Sequence, residues 1–151
     1  MIKRIEGGLL GSSVYIVYTE ESKRAIIVDC GVPVQEITAF IAGERLSVDY
    51  IVLTHGHFDH VDYIDRYVNE FPDAKILCHV DELKVLLDPE ANLSPYIATS
   101  KAYSYPYETL KDCDEISIGE NDSITFKIIH SPGHLSNLYA LRIENKMLNV
   151  K

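Results

Sequence analysis

His55-Gly56-His57-Phe58-Asp59-His60 is the segment from which the rest of this sequence can be interpreted. It places three imidazoles and one carboxylate within six consecutive residues. Imidazole and carboxylate are ligands that suit Zn²⁺, Fe²⁺ or Mn²⁺. A polar loop after a strand is the alternative interpretation. We favour a metal site, because a spacing of this kind rarely arises by chance.

The residues on either side predict a strand before the segment and a helix after it. Residues 48–54 (VDYIVLT) are β-branched and apolar, as in a buried strand. Apolar residues then recur at helical spacing as far as Pro72, at Val61, Ile64, Val68 and Phe71. The segment should therefore lie at the carboxyl end of a strand, where α/β proteins place their sites. In extended backbone His55 and His57 point the same way. Asp59 and His60 can face them from another side, so one turn could supply two adjacent metals.

Elsewhere the sequence predicts alternating strands and helices. We expect paired strands at 13–18 and 25–28, a helix around 34–41, a strand at 75–79, a helix at 81–87, a Tyr-rich irregular segment at 88–112, and two or three strands from there to the end.

Together with other motifs, the segment is similar to the metallo-β-lactamase superfamily, whose hallmark is His-x-His-x-Asp-His. Ser131-Pro132-Gly133-His134 resembles the family's Pro-Gly-His turn, and Val28-Asp29-Cys30-Gly31 resembles its early strand ending in Asp-x-Gly. Asn92-Leu93-Ser94 and Lys111-Asp112-Cys113-Asp114 resemble segments of the small glyoxalase-II-like members. The resemblance spans nearly the whole chain.

This resemblance implies an α/β fold of the metallo-β-lactamase type, an αββα sandwich with helices outside two sheets, in a single domain over residues 1–151. It implies that His55, His57 and His134 hold one metal and that Asp59 and His60 begin a second. The expected cofactor is one or two Zn²⁺, with Fe or Mn as alternatives. The family's bridging Asp and final His have no counterpart before Lys151. We therefore expect a C-terminally truncated member, whose fold is incomplete in its second half.

The function implied by the resemblance is metal-dependent hydrolysis, in which the metal activates a water molecule and Asp59 orients it. The glyoxalase-II-like features suggest a small-molecule thioester, such as a hydroxyacyl-glutathione, as the substrate. Lactones, β-lactams and phosphodiesters are alternative substrates. A second hypothesis is a truncated or degenerate member that binds one metal or none and is not catalytic.

Composition limits the partners. Hydrophobic residues make up 46% and charged residues 25% of the chain, which is ordinary globular composition. A net charge of −9 argues against a nucleic-acid partner. The sequence contains no run of transmembrane length, and Met1-Ile2-Lys3-Arg4 is not followed by a signal-peptide core, so we expect no membrane association and a cytoplasmic location. A sheet edge left uncovered by truncation would favour a homodimer.

Several residues keep two interpretations. The cysteines should be reduced thiols, but Cys30 is either a small buried hydrophobe or a thiolate close enough to reach a metal. Asp29 either orients a ligating His or caps the next turn. His79 is expected to be packed rather than ligating. The Tyr-rich residues 96–107 form either a lid over the substrate or a packed surface loop.

Overall fold

Two β-sheets form the framework of the protein, which is described here from a computed structural model at residues 1–97, 99–131 and 138–144. The strands are β1 (Ile2–Glu6), β2 (Ser13–Tyr18), β3 (Arg24–Val28), β4 (Ser47–Leu53), β5 (Lys75–His79), β6 (Tyr107–Leu110), β7 (Glu115–Ile118), β8 (Ile124–Ser131) and β9 (Leu138–Glu144). The helices are α1 (Val34–Glu44), α2 (Phe58–Val61), α3 (Ile64–Glu70), α4 (Leu83–Leu87), α5 (Pro89–Asn92) and α6 (Ser94–Ile97), with 3-10 turns at Leu9–Gly11 and Val80–Glu82.

The larger sheet has six strands in chain order, from β1 to β6. The pairs β1–β2 and β2–β3 are antiparallel, whereas β3–β4, β4–β5 and β5–β6 are parallel. The smaller sheet, β7–β8–β9, is antiparallel. Because β3, β4 and β5 are parallel, the loops that follow them meet at one edge of the larger sheet. That edge carries the histidine-rich segment.

The larger sheet is covered on both faces, and its side chains alternate between two cores. Ile27 and Ile51 face the core shared with the helices, whereas Ile26 and Val52 face the core shared with the smaller sheet. Within the described ranges, every buried apolar side chain that belongs to an α-helix lies in the first core. These residues thus form three layers, in the order helices, six-stranded sheet, three-stranded sheet. The outer helical layer beyond the smaller sheet is not among them.

Some elements differ from those predicted by the sequence. The helix expected through Val61 and Ile64 is divided into α2 and α3, because the backbone at Tyr63 is not helical (φ −97°, ψ 10°). Strand β1 was not predicted; only Ile5 in it is buried, so it lacks the alternation that marks a strand. The segment 88–112 was predicted to be irregular but contains α5, α6 and β6.

No helix in the described part of the chain is both long and apolar enough to span a bilayer.

Candidate metal centre

The histidine-rich segment lies between β4, which ends at Leu53, and α2, which begins at Phe58, as the sequence predicts. His55 is buried, with 8% of its surface exposed, whereas His57 and His60 are partly exposed. The ring centroid of His55 lies 4.7 Å from that of His57 and 4.1 Å from that of His60. The turn therefore brings the three imidazoles of this segment into one cluster.

Asp59 lies beside the same cluster, at the start of α2. Its Oδ2 is 3.5 Å from Nε2 of His60, and its side chain is only 16% exposed. All four predicted ligands of the segment thus lie close together, with His55 buried and the other three partly exposed.

Asp29 joins the two ends of the segment. It follows β3, which is parallel to β4, and it adopts a left-handed backbone conformation with φ 68°. The backbone N–H of Thr54 donates to its Oδ1 at 2.8 Å, and the hydroxyl of Thr54 donates to its Oδ2 at 2.8 Å. Nδ1 of His60 lies 2.9 Å from the same Oδ2. A single buried carboxylate therefore holds the residue before His55 and the imidazole of His60.

This network assigns the protons on two imidazoles. An ionised carboxylate only accepts hydrogen bonds, so the Nδ1 of His60 donates to Asp29. The hydroxyl of Thr54 also donates to Asp29, so Thr54 Oγ1 accepts from Nδ1 of His55, which lies 3.1 Å away. When these two imidazoles are neutral, each carries its lone pair on Nε2, the form in which histidine can bind a metal.

The surroundings of His60 act in opposite directions on its pKa. Burial alone would lower the pKa, but the hydrogen bond to Asp29 and the negative charges of Asp29 and Asp59 outweigh burial and raise the pKa above its ordinary value. The site is therefore electrostatically suited to hold positive charge at His60.

The close packing around Gly31 explains why a glycine is required two positions after Asp29. A Cβ at Gly31 would lie 1.9 Å from the backbone oxygen of Asp59, so only glycine allows this close approach. Next to this contact, the backbone N–H of Cys30, which lies between Asp29 and Gly31, donates to the backbone oxygen of His60 at 2.7 Å. The Asp-x-Gly segment therefore packs directly against the histidine-rich segment.

The thiol of Cys30 is fully buried, and burial together with the charge of Asp29 raises its pKa well above the ordinary value. A protonated, enclosed thiol favours the interpretation of Cys30 as a small hydrophobe over that of a metal ligand.

Glu82 was missed by the sequence analysis. It is 2% exposed and its Oε2 accepts the backbone N–H of Gly56 at 2.8 Å, so it supports the segment from the side of α4. Burial raises the pKa of Glu82, and the hydrogen bond from Gly56 only partly offsets this effect. In the sequence, Glu82 looks like an acidic residue in the first turn of a helix, and no local pattern indicates its contact with a residue 26 positions earlier.

The other polar candidates have structural roles. His79 is buried, and its Nδ1 accepts the backbone N–H of Asp81 at 3.2 Å, as a cap of the 3-10 turn. Tyr103 is buried and donates to Asp62, and Tyr107 donates to the backbone oxygen of Tyr103. This part of the Tyr-rich segment is packed, in agreement with the second of its two interpretations.

The segment Asn92-Leu93-Ser94 contains two buried polar side chains that make internal hydrogen bonds. Asn92 and Ser94 are fully buried; the amide of Asn92 donates to the backbone oxygen of Lys101 at 2.8 Å, and its Oδ1 accepts the N–H of Ser94. These hydrogen bonds connect the end of α5 and the start of α6 to Lys101.

The donor chemistry of the cluster suits a divalent metal, with imidazole nitrogens and a carboxylate beside one another. His134, predicted as a further ligand, lies outside the described residues. Within 1–97, 99–131 and 138–144, no three His, Cys, Asp or Glu side chains are already arranged to hold an ion. The predicted ligand set therefore stays a prediction, and it needs a donor such as His134 to complete it.

A mixed sheet covered by helices, with a histidine-rich turn at the carboxyl end of a parallel strand, defines an α/β protein whose turn lies where such proteins place their ligand sites. The chain belongs to the metallo-β-lactamase superfamily, whose family model matches residues 7–146. This confirms the family and the fold expected from the sequence. Metal binding is a property of that superfamily, and a di-iron form is known for one of the similar structures.

Three curated relatives are similar over most of the chain. An uncharacterized protein of Aquifex aeolicus is 27% identical over 146 residues, which are 97% of this chain and 66% of that protein. A probable metallo-hydrolase, YqgX, of Bacillus subtilis is 29% identical over 136 residues, 89% of this chain and 63% of the relative. Hydroxyacylglutathione hydrolase 1 of Vibrio vulnificus is 26% identical over 132 residues, 87% of this chain and 43% of the relative.

Solved structures agree with this fold. BLEG-1, a B3 metallo-β-lactamase, superposes with a TM-score of 0.79 at 27% identity, covering 95% of this chain and 67% of BLEG-1. TTHA1623 in a di-iron-bound form superposes with a TM-score of 0.72 at 24% identity, covering 93% and 66%. The chain thus spans about two thirds of the length of these proteins and of the first curated relatives.

Proposed function

We propose that this chain carries the metal centre of a metal-dependent hydrolase and that the substrate is a small thioester. The observation that supports this most strongly is the cluster of His55, His57, Asp59 and His60 at one turn, held by the buried carboxylate of Asp29. His55, His57 and His134 are the proposed ligands of one metal, and Asp59 and His60 those of a second. Zn²⁺ is the first choice of metal, with Fe or Mn as alternatives.

A bound divalent cation would lower the pKa of a water molecule and polarise the carbonyl that the water attacks. The protein's own residues have separate tasks. Asp29 and Thr54 fix the protons of His55 and His60 on Nδ1, so that Nε2 faces the site. Asp59 is the carboxylate that we assign to accept a hydrogen bond from water and to orient it. Water adds to the thioester carbonyl, the carbon–sulfur bond breaks, and the products are a carboxylic acid and a thiol.

The choice of a thioester rests on two similarities. The chain is 26% identical to a hydroxyacylglutathione hydrolase, and residues 92–94 and 111–114 resemble the small glyoxalase-II-like members. Lactones, β-lactams and phosphodiesters remain the alternative substrate classes to be tested beside it. The net charge of −9 supports a small-molecule substrate over a polyanionic one.

The test is a substrate panel with the chain stripped of metal and then loaded with zinc, iron or manganese. We expect metal-dependent turnover that is fastest with a hydroxyacyl-glutathione. Asp59→Asn should reduce turnover by about 100-fold or more, because it removes the carboxylate that orients water. The matched control is Asp73→Asn, at an exposed carboxylate in the turn after α3, which should turn over like the unaltered chain.

A loaded chain that binds metal but turns over none of these substrates would contradict the proposed hydrolase and would favour the non-catalytic metal-binding member. Faster turnover of a lactone, a β-lactam or a phosphodiester would contradict the thioester alone.

A further inference from the structure

A buried carboxylate lies directly beneath the His-x-His turn. Glu82, the last residue of the 3-10 turn after β5, is 2% exposed, and its Oε2 accepts the backbone N–H of Gly56 at 2.8 Å. Burying a carboxylate costs free energy, and the hydrogen bond from Gly56 offsets this cost only in part. An apolar side chain could fill the same space without that cost. Glu82 therefore needs an explanation beyond packing.

Its partner, Gly56, is itself confined. A Cβ at this position would lie 2.9 Å from Cγ1 of Val85 and 3.1 Å from the backbone nitrogen of Leu86, so the turn lies against α4. Gly56 is buried, and the bond to Glu82 pairs its N–H away from water. The Gly56 peptide is thus fixed in position by contact with α4 and in orientation by one charge-assisted hydrogen bond.

Gly56 is the residue between His55 and His57. The orientation of its peptide sets the direction in which the two neighbouring Cα–Cβ bonds leave the backbone, and hence the relative positions of the two imidazoles. Their rings lie 4.7 Å apart with an interplanar angle of 72°. Asp29 holds Thr54 on one side of His55 and holds His60 beyond His57. No contact of Asp29 reaches the Gly56 peptide among the described hydrogen bonds, and Glu82 supplies that missing restraint.

We propose that Glu82 is a positioning residue that fixes the Gly56 peptide and thereby holds His55 and His57 in the relative orientation required by a shared metal. This inference rests on the proposed metal centre and deepens it. Two buried carboxylates, Asp29 and Glu82, then hold the segment at different points, from the side of β3 and from the side of α4. The metal would meet a prearranged pair of imidazoles rather than order a flexible loop.

The experiment compares the unaltered chain with Glu82→Ala and Glu82→Gln. The control is Glu90→Ala, at an exposed glutamate of α5 whose described partners are Asp88 and Tyr96. Two quantities are measured: the amide hydrogen-exchange rate of Gly56 by NMR on the metal-free chain, and the zinc affinity by competition with a chromophoric chelator. The exchange rate reports on the Glu82–Gly56 hydrogen bond in the absence of metal, and the zinc affinity reports on the effect of that bond on metal binding.

We expect Glu82→Ala to accelerate exchange at Gly56 by about tenfold or more and to weaken zinc binding by about 10- to 100-fold. Glu82→Gln should fall between this variant and the unaltered chain, because its amide oxygen accepts the same bond without the charge. Glu90→Ala should change neither quantity. A general loss of stability would accelerate exchange throughout the chain, whereas a positioning role affects Gly56 and its neighbours selectively.

Unchanged zinc affinity in Glu82→Ala would overturn the inference, whether or not the exchange rate at Gly56 rises. If Glu82→Ala does not fold, unchanged exchange and affinity in Glu82→Gln would overturn it in the same way. An unaltered chain that binds no zinc would overturn the proposed metal centre and this inference with it, and that result differs from the others because it appears before any substitution is made.

Discussion

At the scale of single residues, two buried carboxylates hold the histidine-rich turn: Asp29 contacts Thr54 and His60, and Glu82 contacts the Gly56 peptide. Asp29 is placed for this task by its left-handed backbone, which turns its side chain back toward Thr54 and His60. A carboxylate behind an imidazole fixes the tautomer and raises the basicity of the other nitrogen. Of the two roles considered for Asp29, orientation of a histidine is therefore the one that its contacts support.

Asp29→Asn tests this role with little disturbance of the backbone, since asparagine tolerates positive φ better than most residues. We expect zinc affinity to fall by about tenfold, because an uncharged amide cannot accept from Thr54 and His60 as strongly as a carboxylate. Chelator competition measures the effect. Asp49→Asn is the control, because Asp49 pairs with Arg24 near the opposite end of β4. Equal affinity in Asp29→Asn and the unaltered chain would mean that the carboxylate does not tune the site.

The sequence revealed these residues unequally. Three imidazoles and a carboxylate in six positions carry their own signal, and the Asp-x-Gly pattern directed attention to Asp29. Glu82 carries no such sequence signal. Its role depends on a hydrogen bond to a residue 26 positions earlier, and this bond forms only after β4 and β5 pair and α4 packs on the turn. Local patterns cannot show a contact of that kind.

At the scale of elements, Gly43 and Gly56 separate the effect of helix propensity on stability from the effect of close packing. Gly43 lies in α1, exposed, and a Cβ there would meet nothing within 4 Å. Gly56 lies against α4 with no room for a Cβ. The same substitution should therefore have opposite effects at the two positions.

We expect Gly43→Ala to stabilise the protein by about 0.5–1 kcal/mol, because alanine is the better helix former. Gly56→Ala should destabilise it by about 1–3 kcal/mol through overpacking, and it should also weaken zinc binding. Thermal unfolding followed by circular dichroism measures both, with a shift of roughly 2–4 °C for each kcal/mol. A melting temperature for Gly56→Ala at or above that of Gly43→Ala would contradict the close packing of the turn on α4.

Hydrophobic patterns predicted the elements best where a face is buried. Strand β4 and the helical turns after it were visible because Ile51, Leu53, Val61 and Ile64 are all in the core. The break between α2 and α3 was not visible, since Val61 and Ile64 keep helical spacing across it. The short elements α5 and α6 depend on the buried polar side chains of Asn92 and Ser94 rather than on apolar periodicity.

At the scale of the whole molecule, the alternation of buried residues explains how one sheet serves two cores. Helices cover one face of the six-stranded sheet, and the smaller sheet covers the other. The family resemblance allowed the fold class to be predicted, and the family match confirms it. The homodimer expected from an uncovered sheet edge stays a prediction, as does the expected absence of nucleic-acid and membrane partners.

The core that the larger sheet shares with the helices makes a specific prediction for the thiols, because it contains both Cys30 and Cys78. Cys30 and Cys78 are buried and Cys113 is exposed. Burial, reinforced by the charge of Glu82, raises the pKa of Cys78 to about 12, and burial raises the pKa of Cys30 well above its ordinary value. Both thiols should therefore stay protonated and unreactive up to about pH 9.

Titration with a thiol-specific disulfide reagent should accordingly label one cysteine in the native chain and three in denaturant. Raising the pH from about 7 to about 9 should not add a second native label, because a group with a raised pKa stays protonated across that window. Cys113→Ser should abolish native labelling. Labelling of two or three cysteines in the folded chain would show that the core between the larger sheet and the helices is open to the reagent.

We infer that the turn from His55 to His60 binds a metal through imidazole and carboxylate. X-ray absorption at the zinc K edge of the zinc-loaded chain tests it most directly, because it reads the ligand atoms themselves. The prediction is nitrogen and oxygen ligands at about 2.0–2.1 Å, with the outer-shell scattering of imidazole, and the loss of this spectrum in a His55→Gln, His57→Gln double variant. Sulfur ligands at about 2.3 Å, or an imidazole spectrum that the double variant leaves unchanged, would contradict the claim.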